Sequence, residues 1–178
     1  MSKYELVESA ADVPYEKWAA DGVKVVLFDK DGTLTHANQL TPVDGIIEKL
    51  QKRNLDQLFT HLGVSSNNYD AVQVEAFAAF LEDSLGLGVL ALSPAHNYKK
   101  KPHPEMGLEA ARQLGVLPSE LGVVGDRRYT DVGFGINVRA KAIALCEKAG
   151  EGDTRFVPTL RRLENFWVGT ERALRRAS

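Results

Sequence analysis

Val23-Lys24-Val25-Val26-Leu27-Phe28-Asp29-Lys30-Asp31-Gly32-Thr33-Leu34-Thr35 is the stretch that decides the fold. Apart from Lys24, its first six residues are β-branched or apolar and too few for a helix, which predicts a buried strand. Two aspartates and a glycine follow at once, so the strand ends in a polar turn. Downstream, the same unit recurs. A strand is expected over 57–64, LFTHLGVS, followed by Ser65-Ser66-Asn67-Asn68. Gly88–Leu92 reads as a third strand, and Lys99-Lys100-Lys101-Pro102 lies on the connection after it. Leu121–Val124 reads as a fourth, followed by Gly125-Asp126-Arg127-Arg128-Tyr129-Thr130-Asp131, and Ala140–Leu145 as a fifth.

Helical periodicity fills the gaps. Thr41 is placed as an N-cap with Pro42 at the first helical position, and Val43, Ile46, Ile47 and Leu50 on one face, giving a helix over 42–54. Residues 69–83 carry a core stripe of Val74, Phe77 and Leu81. Pro104 opens a helix with Met106, Ala110 and Leu114 inward, and a last helix starts near Thr159. Strands alternating with helices predict an α/β fold: a three-layer, Rossmann-like parallel sheet covered on both faces, in a single domain over 1–178.

In such sheets ligands bind outside the carboxyl ends of the strands. All four polar clusters are expected at that end. Asp29, Asp31 and Asp126 offer hard oxygen ligands of the kind Mg²⁺ takes together with substrate phosphate. Lys101 can neutralise a phosphate oxygen and Ser66 can donate to another. The combination describes phosphoryl transfer, where positioning and charge neutralisation do most of the work.

The runs FDKDGTLT, VSSNN, KKP and VVGDRRYTD, in that order between residues 28 and 131, resemble the four motifs of the haloacid dehalogenase (HAD) superfamily. That resemblance implies that Asp29 is a nucleophile forming an aspartyl-phosphate. It makes Asp31 the acid that protonates the leaving oxygen and later activates water. It implies Mg²⁺ held by the Asp29 carboxylate, the Asp31 backbone carbonyl and Asp126, with Asp131 in support through water or by orienting Asp126 or Lys101. Ser66, Asn67 and Lys101 would bind the phosphoryl group, with Ser65 as the competitor of Ser66. An acid at Asp31 resembles the phosphatase branch rather than the dehalogenase branch. About thirty residues separate the first two motifs and about thirty-five the second and third, which leaves no room for a large cap domain.

Within the superfamily, Lys100-Lys101-Pro102, Val123–Arg127 with Thr130-Asp131, and the segment Leu160–Phe166 resemble the phosphatidylglycerophosphate phosphatases and their YqeG-like relatives. One departure is Gly32, where those relatives more often carry Asn. The resemblance implies a lipid-linked phosphate monoester as substrate. The alternative is a small soluble ester such as a sugar phosphate, or, in a different class, a binding module on a retired phosphatase fold.

Other features bound the reading. A net charge of −2 gives no whole-chain attraction to nucleic acid, and no nucleic-acid partner is expected. The single cysteine, Cys146, forms no internal disulfide and no cysteine-based zinc site, and reads as a buried apolar side chain. His36, His61, His96 and His103 show no ligand spacing and read as structural. Lys99 and Lys100 read as solvated neighbours that attract anions. No run approaches the ~20 apolar residues that span a bilayer. The opening residues carry neither a secretory signal nor a mitochondrial presequence. In the last helix Leu160, Leu163, Phe166, Trp167 and Leu174 face away from Arg161, Arg172, Arg175 and Arg176, a pattern that suits either an apolar face packed on the domain core or contact with an anionic membrane surface. The expected location is cytoplasmic or peripheral on an inner membrane face, or the mitochondrial matrix side after removal of a targeting segment.

Overall fold

A computed structural model describes residues 4–147. Six strands form one fully parallel sheet: β1 (Glu5–Val7), β2 (Val25–Phe28), β3 (His61–Ser65), β4 (Val89–Leu92), β5 (Leu121–Gly125) and β6 (Ala142–Cys146), in spatial order β1-β6-β5-β2-β3-β4. The decisive strand, β2, lies between β5 and β3, with Phe28 level with Val124 and Val64. Its side chains alternate between two cores because strand residues point to opposite faces in turn. Val26 and Phe28 enter a core covered by α1 (Tyr15–Ala20), α2 (Ile46–Gln51), α3 (Leu55–Leu58) and α4 (Ala71–Leu85). Val25 and Leu27 enter the other, covered by α5 (Glu105–Leu114) and α6 (Gly133–Val138). All four β2 side chains are fully buried, as a central parallel strand requires. Among the described residues no large cap interrupts this three-layer plan.

Three expectations are corrected. The first strand in the chain is not the one expected over 23–28, which is β2, but the edge strand β1, which pairs with β6 from Glu5↔Ala144 to Val7↔Cys146. Three residues are too few to show a period. The strand expected over 57–64 is helical in its upstream part. Asn54, at a left-handed φ of 48°, starts α3, and strand pairing begins only where His61 meets Val25. The helix expected from Thr41 starts at Ile46 behind Gly45. Thr41 and Pro42 are used instead in a small hairpin: the Thr41 carbonyl accepts from the His36 N–H, Val43 donates to Leu34, and Pro42 bridges Thr35. The capping logic was sound locally but lost to this longer-range pairing.

The core stripe Val74, Phe77 and Leu81 is buried as expected, and α4 is capped by the Asp70 carboxylate accepting from the Gln73 N–H at 3.1 Å. The segment beyond residue 147, including the amphipathic helix expected near Thr159, lies outside the described residues. No helix among the described residues is long and apolar enough to cross a membrane.

Candidate active site

Parallel strands bring the loops that follow β2, β3, β4 and β5 to one edge of the sheet. Asp29 is the first residue past β2, and its N–H donates to the Val124 carbonyl on β5 at 2.8 Å. The backbone then turns back on itself. Gly32 has φ +86°, and its N–H donates to the Thr35 carbonyl. Positive φ favours glycine first and asparagine next, so a Gly/Asn exchange here preserves the turn.

Lys101 is the hub. Its Nζ donates to Asp29 Oδ1 and to Asp131 Oδ1, each at 2.6 Å, and the side chains of Lys101 and Asp131 are each 2% exposed. Burial alone would pull the Lys101 ammonium down, but the carboxylates of Asp131 and Asp29 hold it above its ordinary value. Asp29 shows the opposite balance. Burial pushes its carboxyl up to about 7, against the opposing pull of Lys101 and with a further upward push from Asp131. Asp126 completes the group. Oxygens of Asp29, Asp126 and Asp131 lie within 4.8 Å of one another, and all three residues are buried. Three buried carboxylates converging at that spacing fit a hard divalent cation such as Mg²⁺ and fit a soft metal poorly. Asp131, expected only in support, is a full member of this cluster.

Asp131 sits where it does because Gly125 has no side chain. A Cβ on Gly125 would lie 2.3 Å from Asp131 Cβ and 2.4 Å from Cγ. The π-helical turn Arg128–Val132 folds Asp131 back over the end of β5, and the Arg127 N–H donates to its Oδ2 at 3.0 Å. Gly125→Ala is therefore expected to expel Asp131, lower stability by about 3 kcal/mol and loosen Lys101. Urea unfolding of the variant beside the wild type measures that loss.

The two serines point in different directions. Ser65 Oγ turns inward and donates to the Phe28 carbonyl at 3.4 Å. Ser66 Oγ faces the site, donating to Asp31 Oδ2 at 3.3 Å and accepting from the Asn68 N–H at 3.1 Å. Asn67 requires a correction. Its side chain does not stand free for a phosphate, because its Oδ1 accepts from the Lys101 N–H at 2.7 Å and its Nδ2 donates to the Lys101 carbonyl at 3.1 Å. It fixes the backbone that carries the hub lysine.

Lys30 escaped the sequence reading. Its side chain is fully buried, and its Nζ donates to Asp31 Oδ1 at 2.7 Å and to the Gln39 carbonyl at 2.8 Å. The Asn38 N–H adds a second bond to the same Asp31 oxygen at 2.8 Å. Asp31 Oδ1 is thus fully engaged, while Oδ2 is directed toward Ser66. A lysine between two aspartates was the available signal, but a pattern of residue types does not show which way the middle side chain turns. The neighbours Lys99 and Lys100 are exposed as expected, and His96 has structural partners in Ser93 and Glu75.

Comparison with known proteins places this arrangement. A sequence model of mitochondrial PGP phosphatases matches residues 7–148, most of the chain. The chain belongs to that family. It is 31% identical over 170 residues to phosphatidylglycerophosphate phosphatase 1, chloroplastic, of Chlamydomonas reinhardtii, covering 90% of this chain and 59% of that protein. It is 32% identical over 167 residues to phosphatidylglycerophosphate phosphatase 1, chloroplastic/mitochondrial, of Arabidopsis thaliana, covering 88% of this chain and 44% of that one. The chain thus spans about half the length of these curated relatives. Among solved structures, a HAD-superfamily hydrolase of Geobacter sulfurreducens is similar with a TM-score of 0.50 at 17% identity, over 71% of this chain and 95% of that one. A HAD hydrolase of Entamoeba histolytica reaches 0.51 at 16% identity, over 68% and 83%. At those identities the likeness is one of fold, and that fold is HAD-like.

Proposed function

We propose that this PGP phosphatase family member is a Mg²⁺-dependent phosphomonoesterase working through an aspartyl-phosphate, and that it converts phosphatidylglycerophosphate to phosphatidylglycerol. The observation that carries the chemistry is the Lys101 ammonium held at 2.6 Å from both Asp29 and Asp131 beside Asp126. The lipid substrate is supported by the family match and by the names of the two relatives. The reading treats the chain as one such domain, acting at the inner face of a membrane.

Asp29 is the nucleophile. Its Oδ1 is held by Lys101, while Oδ2 accepts only a long 3.4 Å bond from Thr33, so Oδ2 is the freer oxygen for attack on phosphorus. Asp31 delivers a proton from Oδ2 to the departing alkoxide. It then takes one from the water that hydrolyses the acyl-phosphate. Ser66 Oγ and Lys101 Nζ donate to the phosphoryl oxygens as charge develops there. Asp29, Asp126 and the Asp31 backbone carbonyl would hold Mg²⁺, with Asp131 adjoining. The ion supplies Lewis-acid neutralisation of the phosphoryl group.

The test is phosphate release from phosphatidylglycerophosphate in mixed micelles with Mg²⁺, beside a panel of soluble monoesters, with Asp29→Asn as the blank. Preference for the lipid, lost in the variant, supports the proposal. Preference for a soluble ester keeps the chemistry and discards the lipid. No turnover of either class overturns both.

The raised Asp29 carboxyl gives a second expectation. Its value in the metal-free fold, about 7, exceeds that of an unfolded aspartate, about 3.9. The folded chain therefore binds the extra proton between those values, and stability from this group is lost as pH rises through about 7. Mg²⁺ competes with that proton. The rise in Tm on adding Mg²⁺ is expected to be larger near pH 8 than near pH 5.5, and Asp126→Asn is expected to shrink it at both. Thermal unfolding with and without Mg²⁺ checks it.

A further inference from the structure

The three most exposed large hydrophobic side chains among the described residues are Val72 at 74%, Tyr129 at 70% and Tyr69 at 66%. All three lie at the catalytic end of the sheet. Tyr69 is three residues past Ser66 on the loop after β3, and Val72 is in the first turn of α4, which that loop feeds. Tyr129 is two residues before Asp131 on the π-helical turn after β5. Leu40, 47% exposed, joins them from the loop after β2, next to the Gln39 carbonyl that Lys30 holds. Exposed Lys99 and Lys100 follow on the loop after β4, and the Lys100 Nζ lies 4.4 Å from the centre of the Tyr69 ring.

The sheet order sets these loops side by side as β5, β2, β3, β4. At the usual strand spacing the row spans about 15 Å across the mouth of the site. Tyrosines carry an apolar ring and a polar tip, and settle at the level of lipid headgroups. Valine and leucine can enter the acyl boundary, and lysines favour anionic phosphates. The chain as a whole has a net charge of −2, so a cationic rim is a local arrangement and not a reflection of composition. Exposed Asp70, between Tyr69 and Val72, accepts from the Gln73 N–H as the cap of α4, Glu105 accepts from the Lys99 N–H, and the buried acids Asp29, Asp31 and Asp131 are paired with Lys101 or Lys30.

We infer that this rim, formed by Leu40, Tyr69, Val72, Tyr129, Lys99 and Lys100, seats the mouth of the catalytic site directly on an anionic bilayer. The inference deepens the reading of a lipid-linked substrate, on which it rests. It supplies the membrane contact from the described residues alone. In this orientation a lipid headgroup reaches Asp29 without the lipid leaving the bilayer, which suits a site with no large cap.

The test uses the full chain, sedimented with vesicles of phosphatidylcholine alone or with phosphatidylglycerol added, and assayed in parallel on p-nitrophenyl phosphate. One variant is Tyr69→Ser/Val72→Ser/Tyr129→Ser and a second is Lys99→Gln/Lys100→Gln. The wild type is expected to bind the anionic vesicles, and to lose binding in high salt. Each variant is expected to bind roughly tenfold or more weakly, at about fivefold per lysine in the second, while p-nitrophenyl phosphate turnover stays unchanged. Wild-type binding equalled by both variants overturns the rim, as does absence of wild-type binding. A dimer in the wild type that dissociates in the first variant, without vesicle binding, assigns the rim to self-association and also overturns it. Vesicle binding lost in both variants, in an enzyme that cleaves p-nitrophenyl phosphate but not phosphatidylglycerophosphate, upholds the rim and removes the substrate assignment alone.

Discussion

Asp29→Asn is expected to reduce phosphate release by roughly four orders of magnitude or more, while the protein remains folded. The loss follows from replacing the group that would attack phosphorus with an amide that is not nucleophilic. Folding should survive because the native carboxylate is itself poorly placed for stability: burial pushes it up to about 7 despite Lys101 beside it. The amide has the same shape and no charge to desolvate. Lys101 keeps Asp131 as its counter-ion at 2.6 Å. Circular dichroism and urea unfolding should therefore show stability within about 1 kcal/mol of wild type near neutral pH. A variant that unfolds would mean that Asp29 has a larger structural role than its geometry indicates.

Lys101→Met should act in the opposite way, costing both activity and stability. Methionine fills much of the same volume but leaves two buried carboxylates facing each other without their shared cation. Breaking a buried pair by removing one partner costs about 3–5 kcal/mol. The metal-free variant can recover part of this by taking up a proton on Asp29. That raises a folded-state value already above the unfolded one, so the loss should deepen as pH rises and lessen below about pH 5. Urea unfolding at acidic and alkaline pH separates this from a simple packing defect, which would be independent of pH. Added Mg²⁺ should restore part of the lost stability, since it replaces the missing positive charge.

The site was more legible than the scaffold around it. Asp29, Ser66 and Asp126 stand immediately past the ends of β2, β3 and β5, Asp131 and Lys101 lie further along the connections after β5 and β4, and the parallel topology brings these connections together. The places where sequence reasoning failed share a physical cause: a local preference overridden by a distant partner. Thr41-Pro42 has the chemistry of a helix start, yet its backbone is taken by the hairpin with Leu34–His36. Leu58 and Phe59 open an apolar run that reads as a strand, yet Leu58 closes α3 and strand pairing begins only at His61. Asn67 looks like a polar ligand, yet both ends of its amide are bound to the Lys101 backbone. Lys30 looks like a solvated residue, and becomes a buried clamp on Asp31 because the loop carrying Gln39 closes over it.

The chain's only thiol lies on β6 opposite Val7 of the edge strand β1, and its side chain enters the core that holds Ala10, Ala11 and Tyr15. Cys146 is 3% exposed, and burial pushes its thiol far above the ordinary value, which leaves almost no thiolate at neutral pH. An alkylating reagent can reach it only in molecules where the segment following β1, which carries Ala10, Ala11 and Tyr15, has lifted from this edge of the sheet. The labelling half-life at Cys146 is therefore a clock for that opening, and it reads the local free energy of the sheet edge without any added probe.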